Sequence, residues 1–96
     1  MQIAQKFDKN LLGSNNRFMK KYQYSYLQQH LNLDLKIQLK QYRKRTGYYM
    51  PVIYEQILRW HGFGSYGQFQ NAMREQQRVV KHYWNTLVKN WLERSS

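Results

Sequence analysis

Cysteine is absent from the 96 residues, proline occurs once, and acidic side chains number 5 against 16 Lys plus Arg. Without cysteine there is no disulfide, no thiolate nucleophile and no Cys-bearing zinc or iron–sulfur site. No apolar run exceeds four residues, so no segment spans the roughly 30 Å of a bilayer core, and membrane insertion is not expected. Residues 1–16 carry two lysines but no apolar stretch of the length a secretory signal needs, which makes cytoplasmic residence the expectation. His30, His61 and His82 lie far apart and have no cysteine beside them, so no metal and no cofactor is expected. The acids Asp8, Asp34, Glu55, Glu75 and Glu93 are scattered, and no serine sits in a nucleophile elbow. The glycines of the 62–67 stretch fit neither the dinucleotide fingerprint nor the phosphate loop. A non-catalytic protein is expected.

What the chain does have is positive charge and rings. The formal net charge is +11, and residues 17–47 hold eight Lys and Arg against the single acid Asp34. A field of that sign draws polyanions and repels further copies of the chain. Nine Tyr, three Trp and four Phe supply ring surface for a core, for stacking on bases or for anchoring an interface.

Hydrophobic periodicity predicts an all-α fold in one basic domain over residues 1–96, with a long C-terminal helix packed on two or three shorter helices. Ile3, Phe7 and Leu11 share a four-residue spacing that ends at a Gly-Ser-Asn-Asn turn cluster, where Asn15 or Asn16 offers a cap. Two helices are favoured over about 16–30 and 34–46. The second is capped by Asp34, has Arg43, Lys44 and Arg45 at its negative end, and closes at Gly47. The same stretch also alternates as strand, at Tyr22, Tyr24 and Tyr26 and again from Leu31 to Leu39, so a hairpin over 20–39 stays open. Pro51 suits the first turn of a helix over about 51–61, broken at Gly62 and Gly64. Ser65 and Gln68 have capping-box spacing. From there Phe69, Met73, Gln76, Val80, Tyr83, Leu87 and Trp91 recur every three or four residues with no Gly or Pro. One helix over 68–93 is expected, about 39 Å long and able to project past the core toward a partner or a second copy.

Lys36, Lys40, Arg43 and Lys44 recur at spacings of four, three and one, with Arg45 beside them. Helical geometry puts the first four on one face, next to the Leu35–Leu39–Tyr42 stripe. No acidic residue between 35 and 54 offsets them, and their head groups suit successive phosphates. Arg17, Lys20 and Lys21 form a smaller group near Tyr24, whose ring suits an unpaired base. A helix-turn-helix about residues 61–64 would present Gln68, Gln70, Asn71 and Arg74 to base edges, although a plain helix–helix corner explains the same pattern.

These residues lead to an expectation of non-catalytic binding to DNA or RNA through a basic helical patch. The alternative is an accessory subunit or inhibitor that docks on an acidic protein surface in a nucleoprotein complex. That alternative rests on Tyr48, Tyr49, Tyr66, Trp84 and Trp91 as interface rings.

Overall fold

The computed structural model describes residues 18–74 and 77–94, and every described element is helical. The helices are α1 (Lys21–His30), α2 (Leu33–Thr46), α3 (Met50–Trp60), α4 (Tyr66–Met73) and α5 (Val80–Arg94), with a 3-10 turn at Gln77–Val79 ahead of α5. The segment that alternated as a hairpin forms α1 and α2. Leu27, Leu35 and Leu39 turn inward at helical spacing, whereas the Leu33 and Ile37 that a strand would have buried are exposed. The periodicity at 3, 7 and 11 and its caps, together with Arg17, lie outside the described residues.

The helix ends follow from capping chemistry. Before α1 the Lys20 N–H donates to Gln23 Oε1 at 2.7 Å, so the helix starts at Lys21 rather than near 16. Asn32, not Asp34, is the residue capping α2, and Asp34 lies in the first turn where a carboxylate meets the positive end of the helix dipole. Gly47 closes α2 with φ +83°, its N–H donating to the Arg43 carbonyl at 2.8 Å. Pro51 occupies the first turn of α3. That helix stops in a Schellman motif, with Phe63 N–H donating to Leu58 O and Gly62 N–H to Arg59 O, both at 2.9 Å. Gly62 takes φ +95°, a conformation that a side chain disfavours. Ser65 Oγ accepts from Gln68 N–H at 3.2 Å, while Gln68 Oε1 accepts from Gly64 N–H instead of from the cap residue itself.

The expected continuous helix over 68–93 is two helices. Phe69 and Trp84 lie 15 positions apart, which is about 22 Å along one helix. Their ring centroids are 6.2 Å apart, and Phe69 also stacks on Tyr83 at 6.3 Å. The chain therefore turns back between Met73 and Val80 to lay both apolar stripes on one core. Ring burial outweighs the continuous helical pattern, and the turn needs neither Gly nor Pro. The projecting rod invoked for oligomerisation does not exist in this form. α5, at 15 residues, is the longest helix of the described residues and packs on α1, α2 and α3.

One contiguous core draws on every helix: Leu27, Leu35, Leu39, Ile53, Ile57, Phe69, Val88 and the two tryptophans of α5 among them. Aromatic edges join the elements. Tyr42 of α2 meets Trp91 at 4.7 Å, and Tyr54 of α3 lies between Tyr24 at 4.9 Å and Trp84 at 5.2 Å. Trp84 is fully buried and its indole N–H has no hydrogen-bond acceptor, so its place rests on ring packing alone. No helix of the described residues is long and apolar enough to cross a membrane.

The one buried polar side chain of the described residues ties these layers together. Asn85 of α5 accepts from the Asn32 N–H at 2.7 Å and donates to the carbonyls of His30 at 2.8 Å and Lys81 at 2.6 Å. It thus satisfies an orphan acceptor at the end of α1 and the cap donor of α2 at once. Asn85→Leu leaves two main-chain groups desolvated and unpaired, each costing about 1–3 kcal/mol. Chemical denaturation should show a loss on the order of 2–4 kcal/mol, whereas Asn90→Leu, on the exposed side of α5, should change little.

Candidate nucleic-acid interface

Seen down its axis, α2 turns Leu35, Leu39, Tyr42 and Thr46 toward α3 and α5, and these are its buried or half-buried positions. At 3.6 residues per turn, Lys36, Lys40, Arg43 and Lys44 fall within about a third of the circumference, away from that inner stripe. Lys40, Arg43 and Lys44 are exposed and Lys36 is half-buried. Among the described residues none of the four enters an ion pair, whereas Arg59 is bound to Glu55 at 2.8 Å. Their charge is therefore uncompensated locally. Arg45 departs from the group: it sits on the opposite flank of α2 with its guanidinium 5.3 Å from the Tyr42 ring centroid.

Arg43 also reaches the α1 side. Its positive charge lowers the hydroxyl pKa of Tyr24 against the larger upward push of burial. Lys20 and Lys21, at the start of α1, are both exposed. Tyr24 itself is not a free stacking platform. It is half-buried and its ring is occupied by Tyr54. The fully accessible ring of that segment is Tyr22, 68% exposed. Leu27 sets the buried side of α1, and Tyr24 falls close to it.

The rings proposed as a protein interface divide unequally. Tyr49 is exposed and Tyr48 half-buried, but Trp84, Trp91 and Tyr66 are buried in the core and cannot anchor a partner. Trp60 is the indole that reaches solvent, 52% exposed, with Arg94 between it and Trp91 at 5.7 and 4.5 Å from the two centroids. Sequence reasoning passed over Trp60, whose place as the last residue of α3, just before the Gly62 stop, was the available signal. The helix-turn-helix side chains are partly spent on their own helix: Gln68 holds Gly64, and Asn71 Oδ1 accepts from Arg74 at 3.0 Å.

Two histidines have structural work. His61 donates from Nε2 to the Leu87 carbonyl at 2.8 Å, tying the end of α3 to α5, and His30 donates from Nδ1 to the Tyr26 carbonyl at 2.8 Å. No group of three or more metal-ligating side chains occurs among the described residues.

A separate cleft of about 400 Å³ opens between α1 and α4. Tyr22, Tyr26 and Gln29 line one side at i, i+4 and i+7, with Gln23 beside them; Tyr66, Phe69, Gln70 and Met73 line the other at i, i+3, i+4 and i+7, and Val80 closes the end. Burial pushes the Tyr66 hydroxyl up to about 12, and the nearby Tyr26 and Tyr22 phenols add to that shift. The sign is that of a group whose neutral form folding favours. Its contribution is complete below pH 10, the unfolded value, and is lost as pH rises toward 12. Tyr54 and Tyr24 are raised by burial in the same direction. Absorbance titration of phenolate should therefore show an early set of tyrosines near pH 10 and a late set that ionises only as the fold is lost. Tyr66→Phe should shallow the fall in stability over that window.

Set against protein-family models, curated protein sequences and solved structures, the chain finds no match, so its chemistry stands on the residues described above.

Proposed function

We propose that the protein is a non-catalytic nucleic-acid-binding module whose basic face on α2, extended by Lys20 and Lys21, follows a phosphate backbone. The observation that carries this reading is the set Lys36, Lys40, Arg43 and Lys44 on one side of a helix whose other side is fixed in the core, with no acid among the described residues paired to it. Side chains held on a rigid helix present charges at regular intervals, and each contact to a phosphate displaces a condensed counterion. Arg43 supplies a planar fork for a phosphate oxygen pair, and the lysines supply mobile point charges. The pattern positions a strand without reading a sequence, since phosphate contacts carry no base information.

A second reading has its own observation. Leu33, 72% exposed, and Ile37 share the outward face of α2 with Lys40 and Lys44. An apolar pair set among cations is the pattern that fits an acidic protein surface with a hydrophobic centre.

Titration of labelled single strands and duplexes at increasing salt tests the first reading. Lys40→Glu with Arg43→Glu should weaken binding at least tenfold and flatten the dependence on salt, with helicity retained, while Arg74→Glu with Arg78→Glu should cost much less. Equal losses at the two sites would mean that net charge, not a located surface, governs binding. Ile37→Asp distinguishes the second reading: a protein partner would be lost outright, whereas nucleic-acid affinity should fall only in proportion to the added charge.

A further inference from the structure

The α1–α4 cleft is distinct from the basic face of α2 and has a different chemistry. Among the described residues no charged side chain lines it, although the chain carries a net +11. Its walls are four rings (Tyr22, Tyr26, Tyr66, Phe69) and three carboxamides (Gln23, Gln29, Gln70) with Met73 and Val80. Tyr66 is 5% exposed and lines the cleft, with a hydroxyl that can both donate and accept. Tyr22 stands at the rim with most of its ring in solvent, ready to cover whatever enters.

Among the described residues an anion has no cation to meet in this cleft, and a purely aliphatic group would leave its carboxamides unanswered. A neutral, planar, heteroaromatic ligand with hydrogen-bonding edges satisfies both kinds of wall: rings receive its face, and Gln and Tyr groups receive its edge. The volume of about 400 Å³ lies within the range of about 300–1,000 Å³ for sites that take small organic ligands.

The geometry points to the α1–α4 cleft as a pocket for an unpaired nucleobase, which makes single-stranded or locally unpaired nucleic acid the ligand class. This rests on the nucleic-acid reading of α2 and sharpens it. A base inside a duplex is stacked and cannot enter, so the cleft selects strands whose bases are free.

The test compares a short oligothymidylate with an abasic strand of the same length and charge, on the whole protein. The base-bearing strand should bind about tenfold more tightly than the abasic one, as the stacking of one base on a ring predicts. Tyr22→Ala and Gln70→Ala, both at exposed positions, should bring that ratio close to one, and Tyr66→Phe, which removes only the hydroxyl oxygen, should reduce it. Lys40→Glu should weaken both strands by the same factor and leave the ratio intact. Equal affinity of the wild-type protein for the two strands would overturn the cleft assignment, as would a ratio that survives Tyr22→Ala and Gln70→Ala. A ratio that persists while Lys40→Glu has no effect would instead overturn the α2 reading and leave the cleft as the binding site. A protein partner's aromatic side chain in the cleft would show as equal affinity for the two strands.

Discussion

Everything outward-facing in this protein depends on how one amide, that of Asn85, is seated. A two-residue connection between α1 and α2 leaves the last carbonyls of one helix and the first N–H groups of the next without helical partners. Asn85 reaches from α5 and answers both, accepting from Asn32 and donating to His30. Which end of the amide is oxygen follows from those partners, since two of the three are carbonyls. With the junction fixed on α5, Leu35, Leu39 and Tyr42 can face inward only, and Lys40 and Lys44 can face outward only. Charge placement on the surface is thus a consequence of a hydrogen bond in the interior.

The rings do the remaining positioning. Trp84 receives edges from Tyr54 and Phe69, and so brings α3 and α4 to the same strip of α5. Trp91 does the same for α2 through Tyr42. A small basic chain has self-repulsion to overcome, and large rings supply the most buried apolar area per residue. The consequence is that few rings of the described residues remain for the surface: Tyr22 on α1, and Tyr49 and Trp60 at the two ends of α3.

Most of the helical architecture is legible in the residues. Gly47, Pro51, Gly62 and Ser65 mark their boundaries through local chemistry, which needs no knowledge of the rest of the chain. The face of α2 is legible too, because Leu35 and Leu39 fix it. The break between α4 and α5 is not, since nothing local in that stretch forbids a helix; the turn arises from the long-range meeting of Phe69 with Trp84. The same cause hid the cleft. Tyr22, Tyr26 and Tyr66 belong to segments about forty residues apart, and only tertiary packing makes neighbours of their hydroxyls. Tyr66, Trp84 and Trp91 were indistinguishable from surface rings by composition, and their burial follows from that fold-back. Asn85 looked like any polar position on a helix, its partners being 53 and 55 residues away.

Native-state hydrogen exchange at the Asn32 amide tests this account most directly. Its N–H precedes the first turn of α2 and would exchange quickly in a helix end left to solvent. Held by Asn85, it should exchange as slowly as the central amides of α5, through global unfolding. Exchange at the rate of a frayed terminus would contradict the claim that Asn85 sets the orientation of α2 and the basic face it carries.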